Sequence, residues 1–217
     1  MSNDCQLYLI TPPQIDDLDQ FASALKSAVG AGGVACLQLR LKNANGEPAP
    51  DDGILRAAER LAPIAQANDI AFLINDRPDL ARKTGADGVH IGQTDTPYAE
   101  AREILGEDAT IGVTCHDSKH LGLVAGEAGA DYVAFGAFFP TETKQASTRA
   151  EIEILEWWSS ATTVPCVAIG GITPENCGPL VRAGADFLAV SGAVWDHPDG
   201  AGTAVKAFTG AINHARK

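Results

Sequence analysis

Short apolar runs alternate with amphipathic segments along almost the whole chain. Each run has four or five residues and is nearly continuous in its apolar character, which is typical of buried strands in a parallel sheet. The segments between the runs show the spacing of apolar residues that predicts helices packed on such a sheet. The pattern predicts strands over residues 7–10, 35–39, 71–74, 88–91, 110–113, 132–135, 166–169 and 187–190, and helices near 17–29, 54–67, 78–84, 97–105, 118–128, 150–160, 174–183 and 201–215.

Eight strand–helix units indicate an α/β fold of the (β/α)8 barrel type. A doubly wound open sheet is the main alternative, but it usually has fewer strands and often a G-x-G-x-x-G turn, which the sequence lacks. A repeated tripeptide supports the barrel, because Gly-Ala-Asp begins at Gly85, Gly129 and Gly184, each time before an apolar run. A glycine there suits the end of a helix, so each repeat marks a helix that leads into the next strand.

The composition is that of an ordinary globular protein, with 217 residues, 45% of them hydrophobic and 20% charged. This length predicts a single domain over residues 1–217. The net charge of −12 argues against a nucleic-acid partner, although a few local cations could still bind small anionic substrates. The five cysteines have no C-x-x-C spacing, which argues against a zinc site or a disulfide framework. Without a secretion signal or an apolar run long enough to span a bilayer, the sequence predicts a cytoplasmic protein with no membrane partner.

Polar side chains and glycines follow most of the predicted strands. In a (β/α)8 barrel the reactive groups lie at the carboxyl ends of the strands, so these residues should meet at one rim. In chain order they are Gln38, Arg40, Lys42, Asn75, Asp76, Arg77, Gln93, Asp95, Thr114, Cys115, His116, Thr141, Thr143, Lys144, Gly170, Gly171, Ser191 and Gly192.

The charged members of this set fit an anion and a metal. Arg40, Lys42 and Lys144 are cations of the kind that binds an oxygen-rich anion. Asp76 and Asp95 are hard oxygen ligands that follow neighbouring strands and have no partner cation in the local sequence. They could share Mg²⁺, which prefers carboxylate, water and phosphate oxygens.

Two glycine-containing pairs follow the last two strands. Gly170–Gly171 and Ser191–Gly192 lie where such barrels often bind a phosphate through backbone amides, although the first pair could be only a tight turn. With the charged residues, these pairs predict a diphosphate and Mg²⁺ on one side of the rim and a monophosphate on the other.

Several of these residues also have ordinary structural interpretations. Asp76 could cap its strand or pair with Arg77, and Asp95 could cap the helix that follows it. His90 lies inside an apolar strand and is interpreted as a core residue whose hydrogen bonds are satisfied. A nucleophilic Cys115 paired with its histidine neighbour is disfavoured, because adjacent strand residues point to opposite faces.

The segments that carry these residues resemble the signatures of the thiamine-phosphate synthase family, also called thiamine-phosphate pyrophosphorylase. The similar segments are "YLIT", "QLRLK", "INDRPDLA", "GADGVHIGQTD", "FGAFFPTETK", "VAIGGIT" and "AVSGAVW", which run in order from Tyr8 to Trp195. This family has a (β/α)8 barrel fold. Its members join 4-amino-2-methyl-5-pyrimidinylmethyl diphosphate to a thiazole phosphate, with release of pyrophosphate. The resemblance therefore implies a transferase that acts on small phosphate and diphosphate substrates.

When the family's site residues are carried over to the matching positions of this sequence, the resemblance implies three groups. They are Gln38, Arg40, Lys42, Asn75, Thr114 and Lys144 for the pyrimidine diphosphate, with Arg40, Lys42, Thr114 and Lys144 catalytic; Asp76 and Asp95 for the Mg²⁺ cofactor; and Thr141, Glu142, Thr143, Gly171, Ser191 and Gly192 for the thiazole phosphate. One departure is Leu41, which stands where the family's Q-L-R-E-K has glutamate.

The implied chemistry is a dissociative substitution. An electron-rich aminopyrimidine tolerates positive charge at its exocyclic methylene, so pyrophosphate leaves first and the thiazole nitrogen then captures the cation. Such a reaction needs stabilisation of the leaving group and no protein nucleophile.

The sequence leaves two other functions open. A related thiazole tautomerase would isomerise the thiazole phosphate without condensing anything, and a non-catalytic barrel would only bind thiamine precursors. His116 does not separate synthase from tautomerase, since both carry the matching histidine, whereas "PTETK" resembles the synthase. A sensor would have no need for a metal site that serves a leaving group, so Asp76, Asp95 and Lys144 disfavour it. A homo-oligomer is compatible with the sequence.

Overall fold

The fold is described from a computed structural model, in which residues 5–43, 45–140 and 148–216 are described. These residues form eight strands, each followed along the chain by one helix or, after the last strand, by two. The strands are β1 (Gln6–Ile10), β2 (Val34–Leu39), β3 (Ala71–Asn75), β4 (Gly88–Ile91), β5 (Thr110–His116), β6 (Tyr132–Gly136), β7 (Cys166–Ile169) and β8 (Phe187–Val190). The helices are α1 (Leu18–Gly30), α2 (Asp51–Gln66), α3 (Pro78–Thr84), α4 (Tyr98–Leu105), α5 (Lys119–Ala128), α6 (Glu153–Ala161), α7 (Gly178–Arg182), α8 (Gly192–Trp195) and α9 (Ala201–Ala215).

The eight strands form a closed parallel barrel. They pair in sequence order, and β8 pairs with β1 to complete the ring. The predicted (β/α)8 fold is therefore confirmed, and the open-sheet alternative is wrong. In the described ranges, none of the helices combines the length and the apolar character needed to cross a membrane.

The predicted and observed elements differ in a few places. Strand β5 continues to His116, so Thr114 lies within the strand instead of after it. The four-residue helix α8 was not predicted, because one helical turn is too short to show a periodic pattern. Helix α7 covers only the C-terminal half of the predicted segment 174–183.

The barrel has two hydrophobic cores. Side chains that point inward form the smaller one, which contains Tyr8, Tyr132 and small residues such as Ala189. Side chains that point outward from the strands pack against the helices and form the larger one. All five cysteines are buried and none is in a disulfide.

The Gly-Ala-Asp repeats end helices and fasten strands in pairs. Gly85 and Gly129 are left-handed caps, with φ of 67° and 98°. The aspartate carboxylate of each repeat then accepts a hydrogen bond from a backbone N–H of the preceding strand. The donor is the first or the second residue of that strand. The bonds run from Phe72 to Asp87 at 2.7 Å, from Ile111 to Asp131 at 2.8 Å and from Cys166 to Asp186 at 2.8 Å. In each pair the aspartate N–H bonds back to the carbonyl of the same residue, which makes a two-bond bracket at the amino end of the barrel.

Replacing Asp186 by alanine is expected to lower the free energy of unfolding. The substitution leaves the Cys166 N–H without its acceptor, and an unsatisfied buried donor costs about 1–3 kcal/mol. For a chain of this size the melting temperature should fall by about 2–12 °C. Thermal unfolding followed by circular dichroism measures the change, with exposed Asp108→Ala as the control. Equal shifts in the two variants would show that the bracket contributes nothing.

Candidate active site

One large cavity opens at the carboxyl ends of the strands and has a volume of about 970 Å³. It brings together every predicted site residue that the structure describes. These are Gln38, Arg40, Lys42, Asn75, Asp76, Asp95, Thr114, Gly171, Ser191 and Gly192. The remaining predicted residues, Thr141, Glu142, Thr143 and Lys144, lie outside the described residues.

The alternation of β2 places its polar side chains in the cavity. Gln38, Arg40 and Lys42 line it, whereas Leu39 and Leu41 pack against the outer core. The leucine at position 41 therefore lies away from the cavity, and this departure from the family pattern does not alter the cavity wall.

Lys42 and Asp76 form an ion pair at the cavity wall. Lys42 Nζ lies 2.7 Å from Asp76 Oδ2, and the two side chains are only 11% and 18% exposed. Asp76 has a left-handed backbone with φ of 64°, and its N–H donates to the His90 carbonyl at 2.8 Å. Arg77 instead pairs with Asp51 and Asp79 on the surface. The suggested Asp76–Arg77 pair is therefore wrong, and the local sequence missed a cation 34 residues away.

Asp95 is held beside Asp76 by its own loop. Its Oδ2 accepts the Gly92 N–H at 2.7 Å, and no side chain caps α4, so the capping alternative is wrong. Burial, together with the nearby negative charge of Asp76, raises the pKa of Asp95. Each of the two carboxylates disfavours the charged form of the other, and a shared cation would stabilise the charged form of both. Their hard oxygen donors suit Mg²⁺, so the residues present fit the predicted ion.

Arg40 is a partly buried cation that faces the cavity. Burial lowers the pKa of its guanidinium, and the charge of Asp76 offsets part of that effect. Within the described parts of the chain, no carboxylate lies within ion-pairing distance of this guanidinium. The backbone N–H of Arg40 donates to the buried Thr11 Oγ1 at 2.9 Å, which fixes the end of β2 against β1. An anion in the cavity would supply the charge that the described protein does not.

A chain of hydrogen bonds crosses the barrel interior below the charged residues, and sequence reasoning missed most of it. Gln38 Nε2 donates to the Tyr8 hydroxyl at 2.8 Å, and the Tyr8 and Tyr132 hydroxyls lie 2.8 Å apart. His90 Nδ1 lies 2.8 Å from the Tyr132 hydroxyl, and His90 Nε2 lies 2.8 Å from Thr114 Oγ1. This hydrogen-bond chain consists of polar side chains. Four of its five members, Tyr8, Gln38, His90 and Tyr132, come from strands in which most other side chains are apolar. His90 was interpreted as a core residue, and the structure gives it hydrogen-bond partners together with a place in the cavity wall.

A glycine in β5 makes this chain possible. Gly112 pairs in register with His90 on one side and with Tyr132 on the other. A Cβ at Gly112 would collide with the Tyr132 ring, so only glycine lets that ring lie across β5. The His90 and Tyr132 rings then stack, with centroids 5.6 Å apart and an interplanar angle of 20°. A glycine inside an apolar strand is the sequence signal that could have revealed this close approach.

The opposite wall of the cavity presents backbone amides. Gly171 has φ of 60°, and a Cβ there would collide with the Pro140 carbonyl, so the position requires glycine. The N–H groups of Gly171 and Gly192 donate to no other described residue. Trp195 fixes α8 by donating from Nε1 to the Ile10 carbonyl at 2.6 Å. Both amides are therefore available to an anion on this side of the cavity.

Cys115 is not a nucleophile. Its side chain is buried in the outer core, and burial raises the pKa of its thiol to about 12. It is therefore a neutral thiol at physiological pH, which has little nucleophilicity. Its neighbour His116 lines the cavity instead, as expected for adjacent residues of a strand.

Comparisons with known sequences agree with one another. The family profile described as thiamine monophosphate synthase matches residues 7–194. A thiamine-phosphate synthase of Rhodospirillum centenum is 62% identical over 205 residues, which cover 94% of this chain and 96% of the relative. A thiamine-phosphate synthase of Hyphomonas neptunium is 53% identical over 203 residues, which cover 94% of this chain and 91% of the relative.

Solved structures also resemble this barrel. A thiamine phosphate pyrophosphorylase from Pyrococcus furiosus has a TM-score of 0.83 and 29% identity, with 99% of this chain and 98% of that chain covered. Orotidine 5′-phosphate decarboxylase from Pyrococcus horikoshii has a TM-score of 0.64 and 15% identity, with 94% and 99% covered, and this likeness concerns the fold alone.

Proposed function

This chain belongs to the thiamine monophosphate synthase family, and from that premise we propose that it joins 4-amino-2-methyl-5-pyrimidinylmethyl diphosphate to a thiazole phosphate. The products are thiamine phosphate and pyrophosphate. The observation that carries the proposal is the division of one cavity into two anion-binding walls. Arg40, Lys42 and the carboxylate pair line one wall, and the amides of Gly171 and Gly192 lie on the other.

The cationic wall suits the diphosphate. The Arg40 guanidinium is partly buried and has no carboxylate in ion-pairing distance among the described residues, so it can bind phosphate oxygens through a fork of donors. Lys42 adds a second charge, and Asn75 adds an amide from the neighbouring strand. As the bond from the methylene to oxygen breaks, negative charge grows on the leaving pyrophosphate, and fixed cations stabilise that charge.

Asp76 and Asp95 would hold Mg²⁺ beside the same wall. When bound, this ion would supply further positive charge to the leaving group. Without the ion, the two carboxylates would give the site excess negative charge. Lys42 neutralises part of that charge through its ion pair with Asp76.

The amide wall suits the thiazole phosphate. Binding this substrate there would direct its ring nitrogen toward the methylene carbon on the opposite side of the cavity. Holding both reactants in one cavity raises their effective concentration, which can account for a large part of the rate enhancement. The ring nitrogen donates its electron pair to the methylene cation, the new carbon–nitrogen bond forms, and no protein group becomes covalently attached.

The proposal is tested by pyrophosphate release from the purified protein with both substrates and Mg²⁺. Lys144→Ala is expected to lower that release at least about tenfold, because a charge-assisted contact to the leaving group is worth about 1.5–3 kcal/mol. His116→Ala should have a smaller effect, since condensation requires no proton transfer by this residue. Thiazole isomerisation followed by NMR is the parallel measurement. A wild-type protein that isomerises the thiazole, releases no pyrophosphate and loses isomerisation in His116→Ala would be a tautomerase.

A further inference from the structure

The hydrogen-bond chain from Gln38 to Thr114 has a direction that follows from counting protons. The Gln38 Nε2 group can only donate, so the Tyr8 oxygen accepts from it at 2.8 Å. Burial raises the pKa of both the Tyr8 and the Tyr132 phenol, so each stays neutral and carries one proton. Tyr8 must therefore donate its proton to another acceptor, and the Tyr132 oxygen lies 2.8 Å away. The Cys36 thiol also lies beside Tyr8, but sulfur is a weak acceptor.

The same count continues from Tyr132 to Thr114. Having accepted from Tyr8, the Tyr132 hydroxyl donates to His90 Nδ1, which lies 2.8 Å away. A neutral imidazole with an accepting Nδ1 carries its proton on Nε2. That proton is then donated to Thr114 Oγ1 at 2.8 Å. Thr114 therefore accepts from below, and its own proton is left to donate elsewhere.

The position of Thr114 indicates what its hydroxyl proton can be donated to. Thr114 lines the same cavity as Arg40 and Asn75. Apart from His90 Nε2, which the count makes a donor, no acceptor for the Thr114 hydroxyl proton lies within hydrogen-bonding distance in the described part of the chain. If the chain ran the other way, Thr114 would donate to His90 and present only lone pairs to the cavity. Lone pairs would repel the oxygens of an anion.

We infer that Tyr8, Tyr132 and His90 are positioning residues that make the Thr114 hydroxyl a donor toward a phosphate oxygen in the cavity. They act through the direction of their hydrogen bonds, which the Gln38 amide sets from the far side of the barrel. The inference rests on the proposed function only for the identity of the anion, which is the diphosphate substrate.

The tautomer of His90 tests this inference without any turnover. In ¹⁵N-histidine-labelled, ligand-free protein at about pH 8, where an ordinary imidazole is neutral, two-bond correlation spectra distinguish Nε2–H from Nδ1–H. His90→Gln assigns the signal among the five histidines. The expected result is the Nε2–H form in the wild type. In Tyr132→Phe, which keeps the ring but removes the donor to Nδ1, the fraction of the Nε2–H form should fall. A wild-type His90 protonated on Nδ1 would overturn the inference.

Kinetics give a second readout. Tyr132→Phe should raise KM for the pyrimidine diphosphate about three- to tenfold, the range expected for one neutral hydrogen bond. In a Thr114→Ala background the same substitution should have no further effect, whereas Thr114→Ser should restore its sensitivity. Tyr98→Phe is the matched control, because the Tyr98 hydroxyl bonds the Gly129 carbonyl at 2.6 Å on the outside of the barrel. Additive effects of Tyr132→Phe and Thr114→Ala would overturn the inference.

The two readouts separate this inference from the proposed function. A wild-type protein with His90 protonated on Nε2 that releases no pyrophosphate would contradict the proposed function and still support the direction of the chain. A wild-type protein that releases pyrophosphate with His90 protonated on Nδ1 would do the reverse.

Discussion

Replacing Asp95 by asparagine is expected to lower pyrophosphate release at least about 100-fold, because metal stabilisation of a leaving group is worth several kcal/mol. Asparagine keeps an oxygen that can accept the Gly92 N–H, which Asp95 accepts at 2.7 Å, so the loop should keep its shape. What it removes is the negative charge beside Asp76. The loss should therefore appear in turnover at limiting Mg²⁺, with little change in melting temperature.

A matched control separates charge at the metal site from charge at the rim. Asp117 follows β5 at the same end of the barrel, but it is exposed and does not line the cavity. Asp117→Asn should retain normal turnover and normal dependence on Mg²⁺. Near-normal activity of Asp95→Asn at limiting Mg²⁺ would mean that Asp95 is not a ligand of the ion.

Replacing Arg40 by alanine is the second change with a large expected effect. Its guanidinium is partly buried beside the cavity, and burial lowers its pKa because the nearby charge of Asp76 offsets only part of that effect. Binding a diphosphate would provide that compensation, and the contact should strengthen as the leaving group gains charge. Loss of such a charge-assisted bond is worth about 1.5–3 kcal/mol, so kcat/KM should fall about 10- to 150-fold.

Two further variants make the Arg40 result specific. Arg40→Lys keeps the charge but loses the planar fork, so it should recover only part of the activity. Arg60→Ala removes an equal charge from the surface, where Arg60 pairs with Asp19, and should leave kcat/KM unchanged. If Arg40→Ala were no worse than Arg60→Ala, Arg40 would have no contact with the diphosphate.

The sequence predicted the barrel well because each strand carries its own signal. Strands β4, β7 and β8 have the predicted bounds, and the other five extend the predicted runs by one to three residues. A strand covered by helices outside and side chains inside is apolar on both faces, so it is a continuous run in the sequence. Most of the described residues that follow such runs meet at one rim as expected, because all strands of a parallel barrel end on the same side. Arg77 and Cys115 are the exceptions, since Arg77 pairs on the surface and Cys115 is buried in the outer core.

Contacts between strands were beyond the reach of the sequence pattern. The pairing of Lys42 with Asp76 depends on the register of β2 and β3, which neither segment specifies alone. Tyr8 and Tyr132 lie within apolar runs and read as core residues, and only the barrel closure brings their hydroxyls together. The clue was Gly112, whose missing side chain leaves room for a ring from the next strand.

The aspartate brackets make the interfaces between neighbouring strands, here called seams, unequal. They join β3 to β4, β5 to β6 and β7 to β8 with a side-chain bond as well as a backbone bond. At the seam between β4 and β5, the corresponding contact is the Thr110 N–H to the Asp87 carbonyl, a backbone bond alone. For three of the four quarters of the barrel, the structural module is therefore a pair of strands with the helices that follow them. The seams between quarters, such as that between β4 and β5, are accordingly the places to split the chain for fragment complementation or to open new termini by circular permutation.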